Sequence, residues 1–167
     1  MENKNWAFVS DYFRLRALYE FGGIYLDTDV EIYKSFDDLL SKKGFVGYMH
    51  DALIGTAVLG FEKKNLFIKK LLDLYDNAEW IEGKYDLFRI KFENGDSYLC
   101  NANNSVFTWA VFHFYDNFKL NGKYQETEDF SVFPKTEFEI GTFWGKRSHC
   151  VHRCESSWKT KNNKKEL

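Results

Sequence analysis

The stretch SDYFRLRALYEFGGIYLDTDVE, residues 10–31, decides how the rest of this chain is read. Ser10 or Asp11 can cap a helix that runs to Phe21, and Gly22-Gly23 supplies the left-handed conformation that stops it. Within that helix Tyr12, Leu15 and Tyr19 recur at i, i+3 and i+7 and predict a buried face. Asp11, Arg14 and Leu18 fall on a neighbouring stripe, so that Asp11 and Arg14 can pair. Ile24-Tyr25-Leu26 then reads as an apolar strand that leads into Asp27-Thr28-Asp29. Side chains alternate along a strand, which would put both carboxylates on one face. Arg14 lies about 12 Å of helix before Gly22, and Asp27 lies about 13 Å of strand after Gly23. If the strand doubles back, Asp11, Arg14, Asp27 and Asp29 meet at one end of a helix-strand hairpin. Hard oxygen ligands beside a guanidinium suit a divalent cation and a phosphorylated, polyoxygenated substrate.

Composition narrows the setting. The chain has 167 residues, 44% hydrophobic and 29% charged, which suits one domain with its own core. Seventeen Phe and ten Tyr read mainly as core rings. A net charge of −2 supplies no basic face and argues against nucleic acid as partner. The longest nearly uncharged run, residues 45–61, is interrupted by His50 and Asp51 and contains three glycines, unlike a membrane span. The chain opens on no basic-flanked apolar leader, and its three cysteines fit a reducing compartment, so a cytoplasmic protein is expected. Cys150, His152 and Cys154, with His149 adjacent, have the side chains of a zinc site. In an extended chain they would spread over some 13 Å, too open for one tetrahedral ion without a turn.

Trp6-Ala-Phe-Val-Ser-Asp11-Tyr-Phe-Arg14, followed by Tyr-Glu-Phe-Gly-Gly-Ile-Tyr25-Leu-Asp27-Thr-Asp29-Val, resembles the DXD region of the family 32 glycosyltransferases. That group includes capsular-polysaccharide sugar transferases and fungal mannosyltransferases, and is similar to the glucosylating clostridial toxins. A bare D-x-D is a weak signal; D-x-x-R, a Gly pair and Y-x-D-x-D in this order are a strong one. The resemblance implies an α/β, GT-A-like (Rossmann-like) fold and a retaining transfer from a UDP- or GDP-sugar donor to a glycan acceptor. It implies that Asp27 and Asp29 hold Mn²⁺ or Mg²⁺ on the donor diphosphate. Asp11 and Arg14 would contact the donor sugar and, with Asp29, carry the catalysis, while Tyr25 would lie against the nucleotide-sugar. A lipid-linked acceptor would bring the domain to a membrane surface. His149-Cys-Val-His152-Arg-Cys-Glu-Ser-Ser157-Trp158 resembles the family's closing H-x-x-x-x-S-W element, and by that likeness His152, Ser157 and Trp158 close over the donor diphosphate. Family members carry a further N-terminal segment that supplies the first strand and much of the nucleotide pocket, so the chain reads as an N-terminally incomplete catalytic domain over residues 1–158. An Asn often precedes Ala57 in the family, whereas this chain has Thr56.

Elsewhere the pattern predicts a short helix after Ile32, anchored by Phe36, Leu39 and Leu40 and capped by Ser35 or Asp37. Residues 44–48 and 53–61 read as strands, with Gly55, Thr56 and Ala57 small enough for close approach by a ligand or another backbone. No Gly-Lys-Ser/Thr follows, so this is not a phosphate-binding P-loop. An amphipathic helix is expected over residues 64–76, with Phe67, Ile68, Leu71, Leu72 and Tyr75 inward and Lys63, Lys64, Lys69 and Lys70 in water. Phe88, Ile90 and Phe92 alternate towards an Asn94-Gly95 hairpin turn. Residues 103–118 read as a buried helix containing a core histidine, His113. Residues 132–134 and 138–144 read as extended, with Pro134 at an edge or turn. The lysine-rich tail, residues 159–167, reads as disordered. Two rival functions fit parts of this pattern. One is a phosphohydrolase with an Asp27-x-Asp29 nucleophile, although such enzymes usually begin on that strand and need a later lysine and a downstream acidic pair. The other is a truncated transferase remnant without activity.

Overall fold

Gly22 turns the chain from its first helix into its first strand, and only glycine fits there. Its φ is +70°, and a Cβ would fall 2.7 Å from the backbone nitrogen of Lys63. The computed structural model describes residues 6–80, 88–91, 97–100, 103–140 and 148–154. In chain order the elements are α1 (Trp6–Phe21), β1 (Gly23–Leu26), β2 (Val30–Ile32), a 3₁₀ turn (Asp37–Leu39), β3 (Gly44–His50), β4 (Leu53–Phe61), α2 (Leu66–Asp76), β5 (Ala78–Trp80), β6 (Phe88–Lys91), β7 (Ser97–Cys100), α3 (Asn103–Phe114), β8 (Gln125–Glu126), β9 (Ser131–Phe133), α4 (Lys135–Phe138) and β10 (Cys150–His152). The result is a mixed α/β architecture, the class expected from the sequence.

Five strands form the main sheet in the order β1-β4-β3-β9-β8. The β3–β9 pair is parallel and the others are antiparallel. β4 is buried along nearly its whole length, which accounts for its almost continuous apolar sequence. Its side chains reach two cores, with a register shift against β3 between Leu59 and Ile54. On one face Leu59 and Ile54 join Val46, Leu15, Phe67, Leu71 and Phe107, beneath α1, α2 and α3. On the other face Val58 and Phe45 pack with Phe36, Leu39, Phe138 and Cys150. β2 and β10 form a separate two-stranded ribbon, and β5, β6 and β7 an antiparallel meander. The Asn94-Gly95 turn, residues 141–144 and the tail at 159–167 lie outside the described residues.

Several boundaries differ from the expected ones. α1 begins at Trp6 rather than at Ser10 or Asp11, because nothing between Trp6 and Ser10 interrupts a helix. The Ser10 hydroxyl accepts a hydrogen bond from Arg14 at 3.4 Å, one turn on, instead of capping. The buried centre of α1 is Asp11, Arg14, Leu15 and Leu18, with Tyr12 and Tyr19 only half-buried at its margins. The polar stripe therefore faces inward. α2 starts two residues late, since Lys64 has φ +63° and Asn65 takes the cap, its Oδ1 accepting from the backbone N–H of Phe67 and Ile68. Leu40, expected as an anchor, is 61% exposed. Ser35 does accept the Asp37 N–H. α3 ends at Phe114 and has an open side on which Phe112 and His113 are exposed. His113 stacks on Trp109 at 4.1 Å and is not a core residue. Phe138 lies in a helical turn rather than an extended run, Pro134 stands at that turn's start, and β9 is interior to the sheet.

Candidate functional site

Arg14 is the centre around which the polar side chains assemble. With only 8% of its side chain exposed, it pairs with Asp11 at 2.9 Å and with Asp27 at 3.2 Å. It also donates to the Thr56 carbonyl at 3.0 Å. Its guanidinium lies 4.4 Å from the centre of the Tyr25 ring, and the Tyr25 hydroxyl donates to Asp27 Oδ1 at 2.7 Å. The antiparallel pairing of β1 with β4 returns the chain beside α1, and the Asp27 N–H continues that ladder to the Ala57 carbonyl. The helix-strand hairpin thus closes as its segment lengths require.

Asp27 and Asp29 converge by a different route from the expected alternation. β1 stops at Leu26, and a turn closed by the Val30 N–H on the Asp27 carbonyl follows. That turn gathers the two carboxylates, and the β2–β10 ribbon brings a third group to them. Val30 sits opposite His152, and the Arg153 N–H donates to the Asp29 carbonyl at 3.0 Å. One oxygen from each aspartate and one nitrogen of His152 lie within 4.8 Å of one another. His152 Nε2 is 3.3 Å from Asp29, and Nδ1 is 2.9 Å from Glu139, where an ionised carboxylate can only accept. Of the expected site residues, Asp11, Arg14, Tyr25, Asp27, Asp29 and His152 share one region. Ser157 and Trp158 lie outside the described residues.

Burial sets the electrostatics. It raises the Asp11 carboxyl to about 6, opposed by Arg14 and reinforced by the Asp27 charge. The Tyr25 phenol is pushed well above its ordinary value by burial and by its bond to Asp27. His152 is raised chiefly by its hydrogen bond to Glu139, with Asp29 and Asp27 adding to it. Negative charge therefore outweighs positive where the carboxylates meet, which favours a cation.

Two residues of this region, Asn103 and Glu139, were not singled out by the sequence reading. Asn103 begins α3, is buried, and accepts from Tyr75 at 2.7 Å. Its Nδ2 has no hydrogen-bond partner among the described residues, although its amide acts on the Asp11 carboxyl. Glu139, 5% exposed, backs His152 and also accepts the His152 N–H through its carbonyl. Gly55 makes room for it: a Cβ there would fall 2.5 Å from Glu139 Oε1, so the space next to Thr56 is filled by a carboxylate of this chain. Cys154 lies 3.5 Å from His152 Nδ1. Glu139 follows a one-turn helix that no periodicity announces, so the sequence carried no signal for it. Cys150 and His149, weighed for zinc, point elsewhere. Cys150 is buried, its thiol pushed up to about 12 by burial, while His149 is held between Glu137 and Asp38.

Two carboxylates and an imidazole within ligand reach of one another fit Mn²⁺, which takes oxygen with some nitrogen, and accommodate Mg²⁺. A separate cleft of about 480 Å³, lined among others by Tyr115, Asp116, Gln125 and Glu128, shares no residue with this cluster.

A family model covers the segment that holds the Asp27–Asp29 turn: described as a glycosyltransferase sugar-binding region containing DXD motif, it matches residues 1–46. An uncharacterised protein of Arabidopsis thaliana is 38% identical over 66 residues, 40% of this chain and 10% of that protein. The lactosylceramide 4-alpha-galactosyltransferase of Mus musculus is 38% identical over 77 residues, 45% of this chain and 21% of that protein. This chain thus matches about a tenth and a fifth of the lengths of these curated relatives. No solved structure matches. The chain is therefore similar, over its first helix and the DXD turn, to a glycosyltransferase sugar-binding region.

Proposed function

We propose that this chain acts as a metal-dependent, retaining glycosyltransferase domain of GT-A-like type, moving a sugar from a UDP- or GDP-sugar to a glycan acceptor, a lipid-linked glycan at a membrane surface among them. One observation carries this: Asp11, Arg14, Asp27, Asp29 and His152 converge at the turn inside the segment that resembles the sugar-binding region.

Asp27, Asp29 and His152 Nε2 are the groups that would hold Mn²⁺ or Mg²⁺. When bound, such an ion neutralises charge on the departing diphosphate, which makes the anomeric bond labile. Arg14 and Tyr25 fix the Asp27 carboxylate by two contacts, so its orientation is set before any ligand arrives. Asp11 offers an acceptor to hydroxyls of the donor sugar, and the buried Asn103 amide acts on its carboxyl. The residues in place supply binding, orientation and charge, and in a retaining transfer the acceptor attacks on the face the diphosphate leaves.

Calorimetry of UDP- and GDP-sugars against the full chain, with and without Mn²⁺, tests this reading. Binding is expected only with metal, and Asp29→Asn should weaken it by about tenfold or more. Tight binding without metal would contradict the mechanism, as would no binding under any condition, which would favour an inactive remnant. Hydrolysis of a simple phosphate ester, lost on Asp27→Asn, would replace the reading with a phosphohydrolase.

A further inference from the structure

We propose that Glu139, His152 and Cys154 form a second metal site, suited to Zn²⁺, which draws on the same imidazole as the Asp27–Asp29 pair. The three side chains each bring a ligand atom to within 4.8 Å of the other two. His152 Nδ1 lies 3.5 Å from Cys154 Sγ and 2.9 Å from Glu139 Oε2. In a tetrahedral zinc site, bond lengths of roughly 2.0 Å to nitrogen and 2.3 Å to sulfur give an N–S edge of about 3.5 Å. The sulfur edge therefore already has its bound length. The carboxylate edge opens by about half an ångström, within reach of a rotation at the end of the Glu139 side chain.

The backbone explains why these residues meet although their sequence spacing predicts an open arrangement. β10 ends at His152, and Cys154 leaves the strand conformation with φ +53°, its Sγ 3.5 Å from the imidazole Nδ1. Continued as a strand, Cys154 would sit about 6.6 Å along the chain from His152. Cys150, the third member of the expected set, is turned into the core, and Glu139 takes its place. Burial is graded across the site. Glu139 is fixed from inside in the space Gly55 leaves, His152 is half-buried, and Cys154 is exposed, so an ion enters from the thiol side and the fourth position is open to water. The thiol proton leaves to solvent as the metal binds.

The ligand types separate the two sites. Sulfur with nitrogen and one oxygen selects zinc over magnesium or manganese, whereas the Asp27–Asp29 set is mainly oxygen. They cannot both use His152 as a neutral ligand, because neutral imidazole offers one lone pair. Zinc on Nδ1 leaves the proton on Nε2, which then donates to Asp29 instead of ligating an ion there. Zinc at the thiol side thereby weakens manganese at the aspartates. This coupling rests on the metal reading of Asp27 and Asp29; the zinc site itself does not.

The test is a zinc titration of the full chain by calorimetry, with Co²⁺ as a spectroscopic substitute that reports thiolate ligation. Wild type and Asp27→Asn should both bind, while Cys154→Ser, an exposed replacement checked by circular dichroism, should lose about tenfold or more in affinity and the cobalt-thiolate band. Undiminished zinc binding in Cys154→Ser, or its loss in Asp27→Asn, would overturn the site. In a second arm, Mn²⁺ affinity should fall in wild type at zinc concentrations that leave Cys154→Ser unaffected. An equal fall in both chains would overturn the shared imidazole. Absence of Mn²⁺ binding in either would contradict the reading of Asp27 and Asp29, with the zinc titration still deciding the second site.

Discussion

Arg14 illustrates what a single side chain does when it is placed inside rather than on a helix surface. It serves Asp11, Asp27 and the Thr56 carbonyl together, and its removal would leave two carboxylates close together in a largely dehydrated setting. An exposed pair at i, i+3 contributes a few tenths of a kcal/mol, but truncating one partner of a buried pair costs about 3–5 kcal/mol. Arg14→Met should therefore lower stability by an amount in that range, read from urea unfolding, and a loss below about 1 kcal/mol would mean that the cluster is well hydrated. Asp11 makes a pH-dependent contribution. Its folded pKa, about 6, lies above the ordinary 3.8, so the folded state holds the proton more tightly than the unfolded state. Wild-type stability should fall as pH rises from about 4 to about 6, by on the order of 2 kcal/mol, relative to Asp11→Asn. Unfolding curves for the two chains that run parallel across that window would refute the assignment.

At the scale of elements, caps and stops decide the geometry. Asn65 caps α2 and also donates from its amide to the Asp129 carbonyl at 2.9 Å, tying α2 to the segment before β9. Asn65→Ala should cost about 2 kcal/mol, more than an ordinary cap, because buried backbone groups lose partners on two segments. Gly22→Ala should cost at least about 1–2 kcal/mol and shift the hairpin, since left-handed backbone and a backbone collision add. The hairpin of α1 and β1 was legible from residues 10–31 because a helix, a glycine stop and a strand of matched length leave one way to bring their polar ends together. That the polar stripe faces inward was not legible, since periodicity gives a helix two candidate faces and Tyr12, Leu15 and Tyr19 made the more apolar one. Convergence of Asp27 with Asp29 was expected for the wrong reason: strand alternation was assumed where a turn does the work. Glu139 and the return of Cys154 were illegible because both depend on long-range placement of a one-turn helix and on a positive φ at a non-glycine residue.

For the whole molecule, the sheet acts as a divider with the site at one end. α1, α2 and α3 cover one face, while the 3₁₀ turn, α4 and β10 cover the other, and the polar cluster lies where β1 ends between those layers. Residues far apart in sequence thus contribute to one place: Arg14 from the helical layer, Asp27 and Asp29 from the turn after β1, and Glu139 and His152 from the opposite layer. No helix among the described residues is long and apolar enough to cross a membrane. On the proposed function, Asp27 and Asp29 hold a divalent ion on a donor diphosphate. The most direct measurement is electron paramagnetic resonance of Mn²⁺ with the full chain and UDP or GDP, reading phosphorus coupling from the nucleotide and nitrogen coupling from His152. In the wild type nitrogen coupling from His152 is expected beside the phosphorus coupling; the nitrogen coupling should be lost in His152→Ala, and Asp29→Asn should leave only the signal of the free manganese–nucleotide complex. A manganese–nucleotide signal unchanged by the protein, or nitrogen coupling that persists undiminished in Asp29→Asn, would contradict it.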